Sequence, residues 1–118
     1  MDELLDRLVA EVGIDRGAAE KAVGIILAFL LKEGPSEKVR ALINQMPGAE
    51  AAIQAAASEG GLGMGGIMGV GTKLMAAGFG MDQMQGITRE IISFARAKAG
   101  EETVGEIVAS IPGLGQFV

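Results

Sequence analysis

The sequence predicts an all-α protein: a multihelical bundle of six or seven helices, built as two similar halves within one domain, residues 1–118. Three observations carry that prediction. Apolar residues recur three and four apart through most of the chain, the spacing of one helix face. Gly and Pro mark the ends of these stretches, where helices stop. The composition is 49% apolar, with 19 Gly, 7 Met and 4 Phe but no Trp or Tyr. A core made of Leu, Ile, Val, Met and Ala suits helices that approach closely. At 118 residues, one such core should remove roughly two thirds of the unfolded chain's surface from water.

The first helix is expected from Asp2 to Val12, with Leu4, Leu5, Leu8, Val9 and Val12 inward and Asp2, Glu3, Asp6, Arg7 and Glu11 outward. Gly13 ends it. Asp15 is placed to cap a second helix, Arg16 to Glu33. Its stretch from Ala22 to Leu31 is apolar on every side, which marks a central, buried helix too short and too closely flanked by charge to span a membrane. Gly34-Pro35-Ser36 opens a third helix with Val39, Leu42, Ile43 and Met46 as its stripe, closed by Pro47-Gly48. An Ala-rich helix follows from Ala49 to Ser58.

Residues 60–71 contain seven Gly separated by Leu, Met, Ile and Val, and a helix is expected to emerge from this segment through Leu74 to Ala77. Gly78-Phe79-Gly80 stops it. Asp82 is then expected to cap a helix to Lys98, with Met84, Ile87, Ile91, Phe94 and Ala95 on one face. A last helix, Glu101 to Ser110, carries Val104, Ile107 and Val108 and ends at Ile111-Pro112-Gly113.

The halves, about residues 1–58 and 66–118, read alike around a Gly/Met-rich joint. Val12-Gly13-Ile14-Asp15 aligns with Phe79-Gly80-Met81-Asp82, and Ile26-Leu27-Ala28-Phe29 with Ile91-Ile92-Ser93-Phe94 after a two-residue gap. Met46-Pro47-Gly48 aligns with Ile111-Pro112-Gly113. Matching residues of special backbone conformation favour a duplication over chance alignment of amphipathic helices.

Residues that are missing exclude chemistries. Without His there is no side chain that normally titrates near neutral pH and no imidazole ligand. Without Cys there is no thiolate nucleophile, zinc knuckle or disulfide. No cofactor is expected. The start Met1-Asp2-Glu3-Leu4-Leu5 lacks the basic stretch and unbroken apolar run of a secretory signal, so a cytoplasmic location is expected.

Gly80-Met81-Asp82-Gln83-Met84-Gln85-Gly86, Ile91-Ile92-Ser93-Phe94-Ala95 and Ile111-Pro112-Gly113 give the second half a resemblance to the VcgC/VcgE family of bacterial proteins of unknown function. The resemblance covers about forty residues and implies a helical fold with no activity or functional residue to carry over. Arg89-Glu90 departs from the family's Leu-rich long helix. Leu4-Leu5-Asp6-Arg7-Leu8-Val9, Gly13-Ile14-Asp15 and Ala18-Ala19-Glu20-Lys21-Ala22-Val23 resemble the opening helix pair of the histone-like HU family. That family's basic DNA-gripping arm has no counterpart after Glu33.

Two nucleotide motifs are imitated without their context. Gly61-Leu62-Gly63-Met64-Gly65-Gly66 fits G-x-G-x-x-G, but an Ala-rich helix precedes it instead of a strand. Gly66 to Gly71 followed by Thr72-Lys73 has the last pair of a P-loop reversed. A packing role is more physical. Gly61, Gly65 and Gly69 would line one face of a helix and let another approach, with Met68 and Met75 as adaptable apolar contacts. A flexible linker is the alternative, since Gly weakens a helix, and Met in a chain short of aromatics is more often core.

The function these features support is a non-enzymatic helical interaction or assembly domain, self-associating as a homodimer through Gly61, Gly65, Met68, Gly69 and Met75. A peripheral membrane protein using the same segment, and an enzyme with a carboxylate-only site, are the alternatives. Ten basic residues against fifteen acidic ones, a net charge of −5, leave no stripe for tracking phosphates. No nucleic-acid partner is therefore expected. A gel shift with duplex DNA at low salt, where electrostatic binding is strongest, should show no retarded band, and a retarded band would refute this reading.

Overall fold

A computed structural model describes residues 2–34, 36–46, 48–58 and 74–111. Six helices are described: α1 (Asp2–Val12), α2 (Arg16–Glu33), α3 (Ser36–Asn44), α4 (Ala49–Ser58), α5 (Met81–Ala99) and α6 (Glu101–Ser110). A helical turn at 74–76 precedes α5, and no strand occurs among the described residues. The protein is an all-α multihelical bundle.

The centre is α2. Ala19, every residue from Ala22 to Leu27, Phe29 and Leu30 are buried, and α1, α3, α4 and α5 all pack against it. Its most extensive partner is α4. Gly24 on α2 and Ala49 and Ala52 on α4 are buried with little or no side chain, which lets the two backbones come close. Each fully buried Val, Leu, Ile or Phe contributes about 1.5–3 kcal/mol, and α2 supplies Val23, Ile25, Ile26, Leu27, Phe29 and Leu30 to the core.

Three contacts set the register of α1 on α5. Glu3 pairs with Lys98 at 4.0 Å, Arg7 with Glu90 at 2.9 Å, and Val12 Cγ2 lies 3.3 Å from where a Cβ on Gly86 would stand. Numbers rise along one helix as they fall along the other, so the pair is antiparallel. Leu4, Leu5 and Leu8 are buried, as their spacing predicts. Val9 is not: it was expected on the inner stripe and is 38% exposed. α1 packs against α2 and α5, and fully buried Leu8 with partly buried Val12 continues the inner stripe past Val9.

The two capping expectations fail, for different reasons. Asp15 occupies the N-cap of α2 with extended backbone, but its side chain makes no capping bond. Asp82 lies inside the first turn of α5, whose N-cap is Gly80. Capping there comes from Gln83, whose Oε1 accepts the Gly80 N–H at 2.9 Å. Gln83 is at the third helical position, from which its longer arm reaches back to the N-cap amide.

That shift also corrects the alignment of the two segments. Gly13 has φ +80°, and its conformational counterpart is Gly78, with φ +99°, while Gly80 has φ −82°. Gly78 follows Gly13 by 65 positions, and the same spacing then recurs without a gap. Buried Ile14 and Phe79 follow the two glycines. The first bonds of α2 and α5, Ala19 N–H to Asp15 and Met84 N–H to Gly80, obey it too. So do the closing bonds Met46 N–H to Ile43 and Ile111 N–H to Val108. Phe29 and Phe94, and Leu42 and Ile107, are buried pairs at that spacing.

Gly34, between α2 and α3, is held by contact and not by a special φ. A Cβ there would lie 2.8 Å from Leu30 O and 3.4 Å from both Ile111 Cδ1 and Val39 Cγ2. Gly105, within α6, has nothing within 4 Å of such a Cβ. Gly34→Ala should therefore destabilise the fold by about 1–3 kcal/mol. Gly105→Ala should stabilise it by up to about 1 kcal/mol through helix propensity. Paired thermal melts of the two variants should move in opposite directions.

The Arg7–Glu90 pair supplies a second test. Glu90 Oε2 is buried and lies 2.9 Å from Arg7 Nη2, at an angle outside hydrogen-bond geometry. Removing Arg7 leaves that oxygen uncompensated, whereas removing both charges does not. Because Arg7 is itself 39% exposed, Arg7→Leu should cost only about 1 kcal/mol. Adding Glu90→Leu should restore most of that in denaturant titrations.

Candidate interaction surface

Of the residues singled out for association, Gly61, Gly65, Met68 and Gly69 lie outside the described residues. Met75 lies within them, and its surroundings begin with the turn that delivers it. Phe79 N–H bonds to Leu74 O at 3.1 Å, and Gly78 N–H to Met75 O at 3.0 Å. These nested bonds close a helix end through a left-handed residue, a role that Gly78 fills without a Cβ penalty. The apolar contact that usually accompanies the motif joins its first and last residues. Both are buried here, Leu74 at 2% exposure and Phe79 at 6%.

Anchoring Leu74 and Phe79 inward leaves the rest of the turn outward. Met75 is 62% exposed and Met81 65%. Ala76, Ala77, Gly78 and Gly80 between them are also exposed. The result is an uncharged, apolar rim from residue 75 to residue 81, held by a turn with two buried anchors. Met46 and Met84, in contrast, are core residues at 1% and 8% exposure. The methionines thus divide between packing and surface.

Met81 is not among the five residues singled out for association. It lies three residues before Met84 and seven before Thr88, so helical periodicity assigns it to the inner face of α5. It is the first residue of that helix, where no preceding turn holds a side chain against the core. The Gly80 N-cap would have been the signal, had Asp82 not looked the better cap.

The ionisable side chains are arranged otherwise. Asp6 pairs with Arg16 at 2.7 Å, Lys38 with Glu106, and Lys98 lies 5.3 Å from the Phe94 ring centroid. The two ion pairs tie neighbouring elements together at the surface, where each contributes little, while the Lys98–Phe94 contact lies within α5. The buried polar residue Thr88 donates its hydroxyl to Met84 O at 2.9 Å, within its own helix. Among the described residues no group of three His, Cys, Asp or Glu side chains is placed to hold a metal ion. No helix among them is long and apolar enough to cross a membrane.

No family model, curated protein or solved structure matches the chain.

Proposed function

We propose that this chain is a non-enzymatic helical assembly domain that pairs with a second copy of itself through the apolar segment ending at Met81. The observation that supports the reading is the exposed rim at Met75 and Met81, built on buried Leu74 and Phe79. Electrostatics favour a second copy at this place. Two chains of net charge −5 repel one another, and the least costly meeting surface is one free of charge. Between Glu59 and Asp82 the single charged residue is Lys73. Two copies can meet there with little like-charge opposition, and a symmetric pair brings each rim against the other. The same reading takes the two segments spaced by 65 residues as versions of one helical unit. It assigns no reaction, since the sequence offers no imidazole or thiol and the Glu90 carboxylate is engaged by Arg7.

Covering the remaining exposed area of each Met contributes roughly 1 kcal/mol. Four such side chains across a symmetric interface give about 4 kcal/mol, nearly a thousandfold in dissociation constant. Light scattering across a concentration series should show the wild type rising toward twice the single-chain mass. Met75→Asp/Met81→Asp should stay at single-chain mass over the same range. A wild type that is a single chain throughout, or a double variant that assembles equally well, refutes the proposal.

A further inference from the structure

We propose that Met75 and Met81 form a peroxide-responsive modification site, at which sulfoxidation releases the self-associated chain; the release rests on the pairing proposed above. The chain has no Cys, so methionine carries all of its sulfur. Burial then decides which sulfur an oxidant meets. Met75 and Met81 are 62% and 65% exposed, against 1% for Met46 and 8% for Met84. The rim does not need to unfold for attack, because Leu74 and Phe79 hold the turn from beneath.

The chemistry needs only hydrogen peroxide. A lone pair of the thioether sulfur attacks one peroxide oxygen, so a sulfur–oxygen bond forms as the oxygen–oxygen bond breaks. The departing hydroxide takes the proton of the transferred hydroxyl and leaves as water. Sulfur loses two electrons and the peroxide gains them. The product side chain is polar and chiral in place of a flexible apolar one. At a rim that works by apolar contact, each sulfoxide must be desolvated before two copies can meet. Oxidant therefore captures the free chain and prevents it from pairing again.

The experiment uses the full chain, dilute hydrogen peroxide, peptide mapping by mass spectrometry and light scattering on the same samples. At a protein concentration where paired and free chains coexist, Met75 and Met81 should gain one oxygen each about tenfold faster than Met46 and Met84. The scattering mass should fall to that of a single chain as they do so. Met75→Leu/Met81→Leu, which keeps apolar bulk but no sulfur at the rim, should assemble and keep its mass under peroxide. That variant also separates the rim from oxygen taken up at other methionines. Oxidation of Met46 or Met84 as fast as the rim overturns the site. An unchanged mass with both rim sulfoxides formed overturns the release. A wild type that is a single chain before oxidant is added refutes the pairing and the release together. Mapping judges the modification site independently, since it requires no assembly.

Discussion

The fold depends on one constraint: the stretch of α2 from Ala22 to Leu31 is apolar around its whole circumference and must be covered on every side. A helix with a polar face can be satisfied by one layer of neighbours. A run such as Val23-Gly24-Ile25-Ile26-Leu27 cannot, because any uncovered side exposes large aliphatic groups to water. The four helices that pack on α2 are the response. Their composition follows from the side each covers. Ala-rich α4 makes the closest and most extensive approach, while α1 and α3 carry single stripes with charges on the reverse face. α5 takes an intermediate place, touching α2 while also forming the floor on which α1 and α6 lie.

Much of this was legible in the sequence, because helix ends are decided locally. Gly13 and Gly78 take left-handed conformations that other residues avoid, and Pro47 cannot continue a helix wherever it is placed. The apolar stripes of α3 and α6, and that of α1 apart from Val9, needed only periodicity. What escaped depends on distances between elements. Asp15 has the right residue type and backbone for a cap, but residue type does not aim a carboxylate. Gln83 caps α5 because the N-cap is Gly80, two residues before Asp82. Gly34 reads as an ordinary helix stop, whereas its Cα hydrogen faces a carbonyl that leaves no room for carbon.

The candidate surface was half legible for a related reason. Met75 and Met84 have identical side chains, and hydrophobicity cannot tell which will be core. The difference lies in the turn between them, whose nested hydrogen bonds pull residues 74 and 79 inward and leave 75 outward, while 81 is exposed at the first position of α5. A turn with two buried ends presents its middle. Apolar residues in that middle are therefore a surface property imposed by the backbone, not a deficiency of packing.

The antiparallel pairing of α1 with α5 has a consequence for the order in which the chain can fold. Leu4 and Leu8 find their cover partly on α2, a few residues away, and partly on a helix that ends at Ala99. During synthesis at about 5–20 residues per second, the α5 side of α1 stays uncovered for several seconds after α1 and α2 have emerged. Local helices therefore form early, while docking of α1 waits on a contact that spans most of the chain. In that interval the nascent protein exposes a leucine stripe absent from its finished surface, and a ribosome-bound chaperone would meet a different molecule from the one that is released.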